Sequence, residues 1–247
     1  MSAGLQERLA ALAAMTPSRV RLDAQARPLP MGHLLSFQED HAAARDAIFT
    51  APDWGALRTA LDCPAPLLRS RARDRASYLR RPDLGRRLSH DSAVARTEPR
   101  LAVVIADGLS PPAVMANAAR LMECLRAQCP ESREAPVFLA EQARVALGDE
   151  IGEAAGAEMV LMLIGERPGL SVSDSLGAYL TWAPRIGTRD SARNCVSNIH
   201  AYGGLSHEAA AARIAWLIEQ AFALGATGIA LKDTSAAQPS VLGEAQS

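Results

Sequence analysis

Between residues 99 and 165, short apolar runs rich in β-branched residues alternate with helix-forming stretches, and this alternation constrains the fold more than any other feature. "RLAVVIADGLSPPAVMANAARLMECLRAQC" reads as a strand at Leu101–Ala106, a turn, and a helix with Ser110 as N-cap and Pro111 in first position. "PVFLAEQARVALGDEIGEAAGAEMVLMLIGERPG" adds a strand at 137–139, a helix at 148–155 and a strand at 159–164. Strands that alternate with helices predict a parallel sheet with crossover helices, hence an α/β fold. Ligands of such sheets sit beyond the carboxyl ends of the strands, here at "ADGLSPP", "EQARVALGDE" and "GERPGLSVS".

Upstream the period changes to helical. Leu5, Leu9 and Leu12 predict a short amphipathic helix, "TPSRVRLDAQARPLP" reads as a linker or arm, and helical patterns punctuated by Pro52, Pro64 and Pro82 run to about residue 88. A last helix starts near His207 and ends at Gly225, followed by the short apolar run "TGIALK". The expected organisation is a helical N-terminal region over 1–95, a Rossmann-like parallel-sheet domain over 96–234, and a loose tail over 235–247. Residues 161–200 leave a strand and then show no clear period, so they read as a long semi-apolar loop system of the kind that covers a ligand.

Composition excludes several classes of function. A formal net charge of −1 lacks the basic excess of a nucleic-acid binder, and no apolar run approaches the roughly 18 residues of a membrane span. Neither nucleic acid nor membrane is therefore expected as a partner, and the expected location is cytoplasmic. Cys63, Cys124, Cys129 and Cys195 are too irregularly spaced for a disulfide scaffold or a CxxC metal site, and the five histidines show no paired spacing. "ADGLSPPAV" has a single glycine where a dinucleotide site needs G-x-G-x-x-G, and the P-loop and nucleophile-elbow patterns are absent.

The remaining candidates each carry two readings. Asp107 is a strand-end carboxylate or a turn-former; Glu166 and Arg167 are a local ion pair or a ligand site; Cys195 is a buried, inert thiol or a hydrolase nucleophile, the latter without a family signature around it and with His200 nearby equally able to be structural. "YLRRPDLGRRLS" gathers Arg80, Arg81, Arg86 and Arg87 around a turn, as a solvated face or as a contact for an anion or partner.

Four stretches, in this order, resemble successive motifs of the small (light) subunit of ethanolamine ammonia-lyase: "YLRRPDLGRRLS", "VVIADGLSPPAV", "ARVALGDEIGEAAGAEMVLMLIGERPGLSVSDSLGAYLTWAPR" and "RNCVSNIH". The resemblance extends from about Pro17 to Ile229. It implies an adenosylcobalamin-dependent enzyme that converts ethanolamine to acetaldehyde and ammonia by radical chemistry in a separate large subunit. It also implies a hetero-oligomer, commonly six of each subunit. By position, the family's cobalamin contacts fall on Val145, Glu166 and Cys195, which makes 96–234 the cobalamin-binding domain, and no catalytic residue or metal ligand is expected in this chain. The D-x-H-x-x-G string that replaces cobalamin's lower base is absent, so the cofactor is expected base-on. Some relatives are delivered into a bacterial microcompartment, and the Leu5/Leu9/Leu12 helix is either a signal for that or a docking helix onto the core or a partner. The alternatives are a stand-alone hydrolase or transferase built on Glu166, Asp107 or Cys195, and a non-catalytic interaction protein.

Overall fold

A computed structural model describes residues 3–15 and 31–235. The elements run α1 (Ala3–Ala14), α2 (Met31–Phe49), α3 (Trp54–Leu61), β1 (Leu67–Arg69), α4 (Arg75–Arg80), β2 (Leu101–Ala106), α5 (Pro111–Gln128) and α6 (Pro130–Arg133). They continue with β3 (Val137–Glu141), α7 (Val145–Ala155), β4 (Met159–Gly165), β5 (Leu176–Trp182), β6 (Arg193–Ile199) and α8 (His207–Leu224). The proline-bearing linker expected at 16–30 and all but the first residue of the tail expected at 235–247 lie outside the described residues. None of the described helices is long and apolar enough to cross a membrane.

The fold is α/β around one six-stranded sheet, ordered β1-β3-β2-β4-β5-β6. β1, β3, β2 and β4 are mutually parallel, whereas β5 and β6 each run antiparallel to the preceding strand. The sheet is therefore mixed, and the expected parallel sheet holds for four of its strands. Three sequence expectations change. The segment read as helical after Pro64 begins with β1, a three-residue strand whose Leu68 is buried while its neighbours are less so. The helix expected at 148–155 begins three residues earlier, at Val145. The stretch read as irregular contains two strands, because β5 buries Leu176, Ala178 and Leu180 on one face and sets Gly177, Tyr179 and Thr181 on the other. With apolar or aromatic groups on both faces, its period of two is hidden.

β2 and β4 are buried on both faces, which is why they read as continuous apolar runs. Val103, Ile105, Leu161 and Leu163 face α3, α5 and α8, whose Leu57, Leu121, Leu125, Ile214 and Ile218 complete the larger core. Val104, Val160 and Met162 face Leu147 and Ile151 of α7 in a smaller one. Ser110 caps α5 by accepting from Ala113 N at 3.2 Å, with Pro111 next in line, and Gly225 ends α8 in the left-handed conformation that glycine favours. The "TGIALK" run holds a short 3-10 turn at Gly228–Ala230. It lies along the outer side of β6: Asn194 donates to the Leu231 carbonyl at 2.9 Å, Gly228 N donates to Asn194 Oδ1 at 2.7 Å, and Thr227 donates to the Ala192 carbonyl at 2.7 Å.

Two contacts lock the carboxyl ends of the central strands. Gly108 and Gly165 pass so closely that a Cβ on Gly108 would lie 2.1 Å from the Gly165 carbonyl, and one on Gly165 would lie 2.1 Å from that of Ser110. Beside them, the fully buried Asp107 accepts from Gln142 N at 3.0 Å and Ala143 N at 3.1 Å, and from Arg75 Nη1 at 3.3 Å. Gln142 has a positive φ of 55°, a strained choice for a side-chain-bearing residue that the carboxylate holds in place. Burial raises the Asp107 carboxyl to about 6, against the opposing pull of Arg75 and the two amides.

Gly165→Ala should lose at least about 1–3 kcal/mol in a urea titration, because its Cβ would meet backbone rather than a side chain that can move aside. The Asp107 shift also has a signed consequence. Between about pH 4 and 6 the unfolded chain releases this proton while the folded chain keeps it, so this group's contribution to stability falls as pH rises through that window. The excess stability of wild type over Asp107→Asn should shrink by on the order of 2–3 kcal/mol from pH 4 to pH 6.5. Denaturation at the two pH values checks this; an excess that grows instead would mean that Arg75 holds the carboxylate ionised.

Candidate functional site

On the α7 side of the sheet, one helix packs against β2 and β4, whereas three helices cover the opposite side. A groove remains between the start of α7 and strands β5 and β6. It consists of two adjoining cavities of about 280 and 310 Å³ that share Arg144, Val145 and Tyr179 as walls.

Val145, Glu166 and Cys195 come together here, although they are distant in sequence. Val145 opens α7 directly after the loop that Asp107 grips, and it lines both cavities. Glu166 follows the last residue of β4 and lines the first. Its Oε2 accepts from Ser175 Oγ at 2.6 Å and from Asn198 N at 3.3 Å, so the carboxylate ties together the ends of three strands. No ion pair joins it to Arg167, its neighbour in the wall of that cavity. Gly177 makes room for it, since a Cβ there would lie 2.9 Å from Glu166 Oε1.

Cys195 lines the second cavity from the middle of β6. It is the register partner of Tyr179 across the antiparallel pair. Cys195 is exposed as a residue, yet the protein around its sulfur strips enough water to raise the thiol above its usual range, with Tyr179 opposing, and burial raises the Tyr179 hydroxyl. A raised thiol is the reverse of what a nucleophilic cysteine needs. His200 supplies no base for it: Nε2 is hydrogen-bonded to Asn198 Oδ1 at 2.9 Å and Nδ1 accepts from Tyr202 N at 3.2 Å, which fixes a turn. The floor beneath is an ion pair between Arg193 and Asp149, both almost fully buried, with Arg193 also donating to Thr181 Oγ1 at 3.0 Å. Burial raises the Asp149 carboxyl, and Arg193 pulls it down. Among the described residues, no three His, Cys, Asp or Glu side chains converge as metal ligands do.

Sequence reasoning missed Tyr179, Tyr78 and Arg144. Tyr78 is fully buried, donates to the Ala143 carbonyl at 2.9 Å, and lies between two guanidiniums, Arg75 at 4.8 Å and Arg144 at 4.4 Å from its ring centre. The stack fixes the Arg144 head at the groove wall, where its Nε is buried without a hydrogen-bond partner. Tyr179 was obscured by the unread strand. Arg144 had one available signal, its place directly before Val145.

The groove has shape, apolar walls and a few aimed polar groups, as cofactor sites do, but no nucleophile and base set for reaction. The sequence profile described as ethanolamine ammonia-lyase light chain (EutC) matches residues 6–232. The chain is 51% identical over 237 residues to the ethanolamine ammonia-lyase small subunit of Bradyrhizobium diazoefficiens, covering 91% of this chain and 90% of that protein. It is 49% identical over 231 residues to the protein of that name from Rhodopseudomonas palustris, covering 90% and 88%. For the one from Rhodococcus erythropolis the identity is 43% over 234 residues, covering 93% and 91%. Resemblance carried by the four quoted motifs thus extends over nearly the whole chain, which belongs to the ethanolamine ammonia-lyase light chain family.

Proposed function

We propose that this chain is the non-autonomous small subunit of an adenosylcobalamin-dependent ethanolamine ammonia-lyase, a carbon–nitrogen lyase that converts ethanolamine to acetaldehyde and ammonia. The observation that carries the proposal is the meeting of Val145, Glu166 and Cys195 on one groove. The name of the relatives supports a large-subunit partner, which on this reading holds the substrate; the assembly would be six of each subunit, in the cytoplasm or within a microcompartment.

The residues present fit one edge of a corrinoid. Either cavity is far smaller than the whole cofactor, so this chain supplies one wall and the partner the other. Val145 and the Tyr179 ring offer apolar contact, and Glu166 accepts from amide N–H groups. When bound, the cofactor supplies the organic radical that the reaction needs. The part played by this chain is to orient that group and to keep water off its edge, with the Asp107-held loop and the Arg193–Asp149 floor keeping the walls rigid. The absence of a D-x-H-x-x-G histidine supports a base-on cofactor.

The alternative of a stand-alone hydrolase finds no support in a thiol raised by burial and a histidine committed to a turn. Acetaldehyde should form anaerobically from ethanolamine and adenosylcobalamin only when this chain and the large subunit are mixed. Turnover by this chain alone, or none in a co-purifying mixture, would sink the proposal. Glu166→Ala should weaken cofactor retention in the complex by about 10- to 100-fold, the worth of a hydrogen bond to a charged group. Gel filtration followed by visible absorption reads this, with Glu166→Gln as a variant of the same size; full occupancy in both would remove Glu166 from the site.

A further inference from the structure

Resting on the cofactor reading above, we infer that Arg86 and Arg144 form an anion subsite at the end of the groove, which takes the phosphodiester of the cofactor's nucleotide tail. Four observations support it. Both arginines line the cavity that also contains Cys195. Neither has a carboxylate partner among the described residues, in a chain where Arg81, Arg87 and Arg193 each have one. The two are tied together by backbone, since Arg144 N donates to the carbonyl of Gly85, the residue before Arg86, at 2.8 Å. Finally, Arg144 Nε is buried and unsatisfied while its guanidinium is held against Tyr78, so the cost of stripping water from that donor has no return inside this chain.

The local glycine explains how the turn that carries Arg86 packs against the Arg144 side chain. A Cβ on Gly85 would lie 2.9 Å from the Tyr78 ring and 3.1 Å from Arg144 Cγ, so only glycine lets the 3-10 turn at Leu84–Arg86 settle on the stack. The segment "YLRRPDLGRRLS" thereby gains a role: Tyr78 supplies the platform, Gly85 the clearance and Arg86 the second cation. One carboxylate, Asp190, shares the cavity with the pair, and it is exposed and turned to Arg193. Asp190 is 3.4 Å from Arg193 Nε, and Glu166, in the adjoining cavity, is bonded to Ser175 and Asn198. Two unpaired guanidiniums suit a phosphate better than a neutral amide, because a planar fork matches phosphate oxygens and each bond is charge-assisted.

The test uses the assembled two-subunit complex freed of cofactor, as wild type, Arg86→Ala and Arg144→Gln. Equilibrium dialysis in the dark compares adenosylcobalamin with adenosylcobinamide, which has the corrin and the adenosyl group but no nucleotide tail. Each variant should bind cobalamin about 10- to 100-fold more weakly and cobinamide within about threefold of wild type. Arg86 is exposed, so its variant remains informative should Arg144→Gln fail to assemble. Equal weakening of both corrinoids, or no weakening of either, would overturn the inference while leaving the proposed function standing. Wild type that retains neither corrinoid would defeat both. Inorganic phosphate, titrated by 31P NMR, separates the two sources of the anion. Displacement of phosphate by cobalamin but not by cobinamide supports the cofactor assignment. Phosphate binding that is lost in the variants while both corrinoids bind as before would reassign the arginines to free phosphate and overturn it.

Discussion

The Asp107 carboxylate is the constraint on which the candidate site depends. A fully buried charge is costly, and this one is tolerated because two backbone amides and a guanidinium converge on it. In return it draws the end of β3 against the end of β2 and holds Gln142 in its strained turn. The direction in which α7 begins follows from that turn, and with it the positions of Arg144 and Val145. Arg75 extends the same grip, donating to the carbonyls of Gly108 and Ile48, so a segment from the N-terminal part of the chain fastens both strand ends. The groove is thus shaped mainly by residues that do not line it.

The two sides of the sheet serve different ends. α3, α5 and α8 seal one side with a large aliphatic core, whereas on the other α7 shields the central strands and leaves β5 and β6 partly open. The reversal of strand direction after β4 makes this possible. An antiparallel pair needs no crossover helix, so two strands were added without adding the cover that a parallel strand would bring. What stays partly open is Tyr179 with Cys195 beside it, supported from below by the buried ion pair that joins Arg193 of β6 to Asp149 of α7.

The fold was legible where one physical demand dominated. β2, β4, the Ser110 cap and the Gly225 stop each announce themselves by burial on both faces or by a single backbone requirement. β1 was not legible, because three residues carry no period and its arginines suggested a continuing helix. β5 escaped because both its faces bear apolar or aromatic groups, and β6 because an edge strand with Cys195, Ser197 and Asn198 exposed resembles a loop. Val145, Glu166 and Cys195 were reachable only through family resemblance, since no motif spacing links residues that meet through the sheet. Arg144 and Tyr78 belong to a stack assembled from segments more than sixty residues apart, which no local pattern encodes.

The strip of chain from Thr227 to Leu231 that lies along β6 has a consequence for how copies of this protein can gather. An uncovered outer strand invites a neighbouring chain to zip on through its backbone, and repetition of that step makes filaments without a natural end. Here Asn194 and the Ala192 carbonyl are already engaged by that strip, and at the opposite margin β1 offers only three residues. Strand addition is hindered on one side and starved on the other, a geometry that favours contacts made by side chains across broad surfaces over open-ended growth.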